Sequence, residues 1–380
     1  MVAYTLYELD SRVRREAESI IEAGHQVDFI VLKGEKGIRD DYLNGVHLYH
    51  APFGRMRGGA LVYIFGYAAF FVLSFFWLSF LHIKKHYDLV HVNNMPDFLV
   101  FTALLPKLGG KPVILDVHDP MLELLSSIFP KNKFLEGILA FEESVSFKFA
   151  NEVITVNEGM KKLMINKRLN PQRLHVVHNF PDQKLFLQTD AQRNSNPFFT
   201  VVFAGTVARR NELHCAIHAV SILKKEIPNL RLRIVGGGPD LSRLKEMAQS
   251  LQVEREVKFQ GWVPLEKLPA LLAECNVGLA SYANDAFGDL VFPEKALDAL
   301  LAGLPVLCSR MPTFEKYFDD SMMFYYEPGN AQSLAEQIRI VYSYPSIVEQ
   351  KRENCEKVLS TMTWGHEKQK YLAIINKFLN

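Results

Sequence analysis

Twice along its length this chain repeats one rhythm, a strand-length apolar run followed by a stretch of helical period, and few folds accommodate it. In the first half the runs fall at 27–32, 46–49, 89–92, 112–116, 152–156 and 174–177; in the second at 198–204, 230–235, 257–260, 277–279 and 305–308. Strands buried on both faces lose the polar alternation of a half-exposed sheet. Apolar runs separated by helices therefore predict an α/β protein with doubly wound parallel sheets, helices covering both faces. At 380 residues and 48% hydrophobic content the chain exceeds one ordinary core, so two Rossmann-like domains are expected.

The first domain is placed at 1–182, beginning with a short strand that enters a helix at Asp10. A polar linker covers 183–197, and the second domain covers 198–345. Terminal helices occupy 346–380, with Pro345 separating a helix over 331–344 from one over 346–379. With 43 basic against 42 acidic side chains the net charge is +1, which excludes a general nucleic-acid binder relying on phosphate neutralisation. Cys215, Cys275, Cys308 and Cys355 are scattered and read as reduced core thiols, neither a zinc site nor a disulfide framework. Residues 1–9 lack the basic-then-apolar profile of a signal peptide, so the expected location is cytoplasmic.

Residues 58–83 depart from a soluble profile. They hold no Asp, Glu, Lys or Arg, carry Phe65, Phe70, Phe71, Phe75, Phe76, Trp77 and Phe80, and are bracketed by Arg55, Arg57, Lys84 and Lys85. The length suits a transmembrane helix, but strands on either side belong in one sheet, and a crossing would part them. Two readings remain: a helix lying at the inner face of the cell membrane with its cations reaching head groups, or a helix buried against protein.

Two elements point to an anionic ligand. After the run 198–204 come Gly205, where backbone can approach a ligand without a Cβ, then Thr206, Arg209 and Arg210. Some 80 residues on, Pro293 occupies a plausible first helical position, with Lys295 in the first turn and Asp298 on the same face. A cation for a diphosphate and a carboxylate for vicinal hydroxyls are the minimum for holding a nucleoside diphosphate. Taken alone, Lys295 reads equally as an ion-pair partner of Asp298, and Glu294 as a first-turn acid complementing the helix dipole. Gly236, Gly237 and Gly238 before Pro239 read as a turn near the nucleotide, lacking the spacing of a dinucleotide loop.

These residues, with Asp116-Val117-His118-Asp119, His178-Asn179-Phe180-Pro181 and Gly303-Leu304-Pro305-Val306, resemble the family 4 retaining glycosyltransferases of the GT-B fold, two Rossmann-like domains facing a cleft. The resemblance implies transfer of a sugar from a nucleoside diphosphate sugar to a hydroxyl acceptor, a lipid-linked or polysaccharide precursor. It implies that Arg210 and Lys295 hold the diphosphate, that Asp298 reaches the ribose one methylene short of the family's Glu, and that His118 faces the donor sugar. Gly205, Thr206, Arg209, Gly237 and Pro293 would line the nucleotide. The family's first acid would fall at Leu290, so its task passes to backbone amides around Gly288 and Leu290 or to Asp289. Asp10, Arg12 and Asp119 would stand on the acceptor side, although Asp10 also suits a helix cap and Glu16 or Glu18 could neutralise the arginines. The last helix would return to the first domain. No cofactor or metal is expected, since no Asp-x-Asp motif is present. Two rivals stand beside this reading: a sugar-nucleotide epimerase on the same plan, and a binding subunit that has lost activity.

Overall fold

The apolar runs become strands, and the chain's local chemistry decides where each begins and ends. A computed structural model describes residues 1–34, 42–56, 60–128, 132–187, 197–285, 287–292 and 294–379. The chain divides into two compact units, Met1–Asn179 with Gly365–Asn380, and Phe180–Trp364.

Unit 1 begins with β1 (Val2–Ala3), α1 (Ser11–Glu22), β2 (Asp28–Val31), β3 (Tyr42–Leu43), β4 (Val46–His50) and α2 (Ala60–Lys85). It continues through β5 (Val90–Asn93), α3 (Leu104–Leu108), β6 (Val113–Val117), α4 (Met121–Ile128), α5 (Lys133–Phe149), β7 (Glu152–Thr155), α6 (Glu158–Asn166) and β8 (Leu174–Val176). The strand order is β3-β4-β2-β1-β5-β6-β7-β8, parallel throughout except that β3 runs antiparallel to β4. That edge hairpin was not expected. Asn44 and Gly45 both have positive φ, 50° and 85°, which is the backbone of a two-residue hairpin turn, and Asn-Gly is its usual sequence.

Unit 2 runs α7 (Gln183–Leu187), β9 (Phe199–Ala204), α8 (Leu213–Leu223), β10 (Leu230–Val235), α9 (Leu241–Ser250), β11 (Val257–Gly261) and α10 (Leu268–Ala273). Then follow β12 (Val277–Ala280), α11 (Glu294–Leu301), β13 (Val306–Ser309), α12 (Pro312–Glu315), β14 (Phe324–Tyr326), α13 (Ala331–Ser343) and α14 (Pro345–Leu359). The all-parallel order β11-β10-β9-β12-β13-β14 reverses direction between β9 and β12. Loops leaving the carboxyl ends of those two strands diverge, opening a crevice where ligands of open α/β sheets bind. Phe203, Ile217, Leu230, Ile234, Val277 and Leu307 are wholly buried in the core beneath it, each side chain contributing about 1.5–3 kcal/mol of transfer free energy.

Two expectations are corrected. Pro345 opens α14 at its first turn, where a missing N–H costs nothing, and does not simply separate two helices. The helix expected over 346–379 is two, α14 and α15 (Trp364–Leu379), broken at 360–363. Strand β14, three aromatic residues long, was also missed. Of the expected linker, 183–187 is helical and 188–196 lies outside the described residues.

Helix α2 buries one stripe and bares another. Gly66, Phe70, Ser74, Leu78 and Leu81 recur every three or four residues and are buried. Val62, Ile64, Phe65, Val72, Phe76, Phe80 and Ile83 are exposed. Arg57, Gly58 and Gly59 lie outside the described residues.

Candidate functional site

In unit 2 the carboxyl ends of β9 and β10 are sewn together through backbone, and glycine is what lets them meet. Gly205 N–H donates to the Val235 carbonyl (2.9 Å), Gly236 N–H to that of Gly261 (2.7 Å), and Val207 N–H to that of Gly237 (3.0 Å). A Cβ on Gly236 would stand 2.0 Å from the Gly205 carbonyl oxygen, and one on Gly238 2.3 Å from that of Val207. The triple glycine is thus a close-approach device.

Lys295, in the first turn of α11, reaches back to this seam. A Cβ on Gly205 would lie 2.6 Å from Lys295 Cε, so the side chain runs across the bare face of that glycine. Its amine donates to the Tyr282 hydroxyl (2.6 Å) and stands 4.2 Å from the centre of that ring. The structure therefore brings together Gly205 and Lys295, 90 residues apart in sequence. Asp298 follows one turn later on α11, half-buried. Pro293 lies outside the described residues.

Arg210 belongs to a 3-10 turn, Arg209–Asn211, that follows β9. Asn211 holds the turn by donating from its side-chain amide to the Thr206 carbonyl (2.6 Å). The Arg210 carbonyl accepts from Ala283 N–H (2.7 Å), and its guanidinium carbon lies 5.4 Å from the centre of the Phe287 ring, so it faces the segment between β12 and α11. Among the described residues no carboxylate pairs with Arg210. Arg209 instead points outward, 83% exposed, and its charge is met by Asp240 at 3.8 Å. It is a solvated residue on the outer side of the turn.

Two of the amides expected to face the sugar, those of Gly288 and Leu290, are engaged within the loop. Gly288 N–H donates to Asp285 Oδ1 (2.7 Å) and Leu290 N–H to the Phe287 carbonyl (2.9 Å). Gly288 instead supplies room, since a Cβ there would fall 2.2 Å from the Ala283 carbonyl oxygen. The side chain of Asp289 is outside what is described. Asp285 and Tyr282, which order this loop and Lys295, were not anticipated; the only sequence signal was their position just past a buried strand.

In unit 1 the strand ends carry a buried charge network. Arg12, 2% exposed, donates to both Asp116 carboxylate oxygens (2.8–3.1 Å) and to the Val177 carbonyl (3.1 Å), and pairs with Glu16 at 3.0 Å. Its placement on the acceptor side is therefore corrected: the guanidinium is spent internally, because a buried cation must be neutralised by fixed partners. Arg14 pairs with Glu18 and Arg15 donates to Asn179, so the helix-start cations are met by the protein itself. Burial alone would raise the Asp116 carboxyl, but Arg12 and His118 override it and hold it well below the usual range. Burial and the nearby Asp116 charge push Glu16 well above. Glu16, Asp116 and His118 bring ligand atoms within 4.8 Å of one another, but Arg12 already occupies the cationic position among them.

His118 sits at the end of β6, its Nε2 3.0 Å from Asp116 Oδ2 and its backbone N–H donating to Asn94 Oδ1 (2.8 Å). Asn94 also donates to the Asp119 carbonyl (2.8 Å), fixing both residues of the loop. Asp10 caps α1, accepting from Val13 N–H (3.4 Å) with one oxygen and from the Thr5 hydroxyl (2.9 Å) with the other. Capping accounts for it without an acceptor.

Two parallel α/β units, with a glycine seam, an arginine that meets no carboxylate among the described residues and a helix-borne lysine at the switch point of unit 2, define a GT-B class protein. The description "Glycosyl transferases group 1" matches residues 188–358 and "Glycosyltransferase Family 4" residues 10–184, and the chain belongs to these family 4 glycosyltransferases. It is 22% identical over 324 residues to the chitobiosyldiphosphodolichol beta-mannosyltransferase of Yarrowia lipolytica, covering 78% of this chain and 68% of that one. To the GDP-mannose:cellobiosyl-diphosphopolyprenol alpha-mannosyltransferase of Xanthomonas oryzae it is 23% identical over 245 residues, covering 64% of this chain and 61% of the other. Matched segments of other relatives cover as little as 29% of their lengths. Its fold is similar to that of sucrose-phosphate synthase from Thermosynechococcus elongatus, with a TM-score of 0.73 at 17% identity over 100% of this chain and 98% of that one. For Anabaena HepE in complex with UDP-glucose the TM-score is 0.71 at 16% identity, over 99% of each chain.

Proposed function

We propose that the chain transfers a sugar from a nucleoside diphosphate donor to a hydroxyl acceptor with retention of configuration, without a metal. The observation that carries this reading is Lys295 lying across the bare face of Gly205 at the β9/β12 switch point, with Arg210, which meets no carboxylate among the described residues, facing the segment between β12 and α11. A diphosphate held there meets two fixed cations and the amino end of α11. The bond between the anomeric carbon and the β-phosphate oxygen breaks, and the acceptor oxygen bonds to that carbon. The acceptor proton passes to the departing phosphate oxygen on the same face. Arg210 and Lys295 stabilise the charge that develops on the phosphate, the task a divalent cation performs elsewhere. Asp298 serves the ribose, and His118, oriented by Asp116, serves the donor sugar.

The acceptor is a lipid-linked precursor at a membrane surface. Support comes from the exposed apolar stripe of α2, an 18-residue window of which, within Val62–Lys85, has mean hydropathy 2.0, and from relatives named for diphosphodolichol and diphosphopolyprenol acceptors. β4 and β5, on either side of α2, lie in one sheet, which argues against a crossing and supports the reading of α2 as an interfacial helix.

Donor turnover with and without acceptor tests the reading. Arg210→Ala is expected to lower kcat/KM by roughly 100- to 1000-fold, the scale of one lost transition-state donor. Unchanged turnover in that variant removes Arg210 from the mechanism; donor conversion without acceptor favours the epimerase; and binding without turnover favours the inactive subunit.

A further inference from the structure

The glycine seam does not end at Gly237. Strand β11, the edge of the unit 2 sheet, finishes at Gly261 with φ +77°, and the next residue, Trp262, is 49% exposed. A Cβ on Gly237 would lie 2.7 Å from Trp262 Nε1, so the indole rests against the Gly237 backbone. Lys295, Gly205, Gly236, Gly237 and Trp262 thus form an unbroken row of neighbours across the carboxyl ends of β9, β10 and β11.

The row has the dimensions of a nucleotide. Two strand spacings, roughly 10 Å, separate the cation end at β9 from the indole end at β11. That is the reach from a diphosphate across its ribose to the base. A half-exposed tryptophan at the edge of a sheet leaves apolar ring surface in water that an aromatic partner would cover, and every nucleobase presents a π-face. Trp77 and Trp364 lie on other elements, α2 and the start of α15, so the indole signal of this site belongs to Trp262.

We infer that Trp262 is the stacking platform for the donor's nucleobase, a binding residue that supplies affinity for the nucleoside beyond the grip on its phosphates. The inference rests on the nucleotide-sugar reading above. Because stacking tolerates any base, Trp262 sets affinity for nucleosides as a class.

Calorimetric titration with uridine diphosphate, guanosine diphosphate and pyrophosphate, alongside tryptophan fluorescence, tests it. Wild-type fluorescence is expected to fall on adding either nucleotide and to stay unchanged with pyrophosphate. Trp262→Ala should weaken both nucleotides roughly 10-fold or more, the range of one base–aromatic stack, and leave pyrophosphate binding as it was. Trp262→Phe should restore most of the nucleotide affinity. Arg210→Ala should weaken all three ligands. Undiminished nucleotide binding by Trp262→Ala overturns the inference, as does an equal loss of pyrophosphate, which would mark Trp262 as merely structural. Wild-type protein that binds none of the three fails the nucleotide-sugar reading itself, an outcome distinct from either.

Discussion

Gly205 and Gly236 face each other across one seam, yet they constrain it differently. At Gly205 the atom met by an added Cβ is the far end of a flexible lysine; at Gly236 it is a backbone carbonyl oxygen. Gly205→Ala should therefore cost less stability than Gly236→Ala, its φ of +152° adding backbone strain but no clash with a carbonyl, while displacing Lys295 and weakening pyrophosphate binding by roughly 10-fold, the value of one charged hydrogen bond. Gly236→Ala has no such escape, and its φ of +125° disfavours any Cβ. It should cost about 2 kcal/mol or more in urea denaturation. In unit 1 Arg12→Met should be costlier still, about 3–5 kcal/mol, because it strands Asp116 without its principal partner. Glu142 supplies a pH signature. Burial pushes its carboxyl up from 4.5 to about 7, with the Glu143 charge adding to the rise and the Ser146 hydroxyl opposing it. Asp97 is raised by burial and by Glu142, and Lys167, paired with Glu143, is the nearby cation. An acid raised on folding favours the folded state below its unfolded pKa and loses that contribution as pH climbs to the folded one. Thermal midpoints should thus fall between pH 4.5 and about 7, and Glu142→Gln should flatten the decline; an unchanged profile would dismiss Glu142 as its source.

At the scale of the element, α2 is an apolar helix with one stripe buried and another exposed. Phe70 is fully buried and Phe76 is 67% exposed, six residues apart on one continuous apolar helix. Composition cannot separate them, but burial does. Phe70→Ala should cost about 3–5 kcal/mol, a core truncation. Phe76→Ser with Phe80→Ser should leave the thermal midpoint nearly unchanged while reducing flotation with anionic liposomes. Retention of full flotation by that pair would assign the exposed stripe to a protein partner instead. Lys84 and Lys85, both exposed at the carboxyl end of the helix, complement its dipole, and Lys85 also pairs with Asp28 at 2.6 Å.

For the whole molecule, the chain returns to unit 1 after completing unit 2. α15 brings Tyr371 and Ile375, both fully buried, into unit 1; the Tyr371 hydroxyl lies 2.9 Å from His91 Nδ1, and Glu367 accepts from His178 N–H (2.9 Å). Burial would raise the Glu367 carboxyl, but His178 and Lys370 bring it down to about 2. Removing 365–380 should therefore lower the unfolding midpoint of unit 1 while sparing that of unit 2, read as two calorimetric transitions. A nucleoside diphosphate should raise only the unit 2 transition, by mass action on the folded state.

The parallel sheets were legible because a doubly covered strand must be apolar along its whole length, and eleven runs of that kind were found within a residue or so of their strands. The glycines at 205 and 236–238 and the cations Arg210 and Lys295 were legible for a similar reason, since local backbone demands and strand ends write themselves into nearby sequence. Hairpin β3–β4 had its Asn44-Gly45 signal and was overlooked, whereas β14 is too short to signal at all. What sequence could not decide was which charges are spent. Arg12 and Arg210 look equivalent as arginines past a strand, but one is consumed by Asp116 and Glu16 and the other meets no carboxylate among the described residues. Only tertiary packing decides that, because the neutralising partner of a buried charge stands about 100 residues away and is chosen by the sheet order that brings it near.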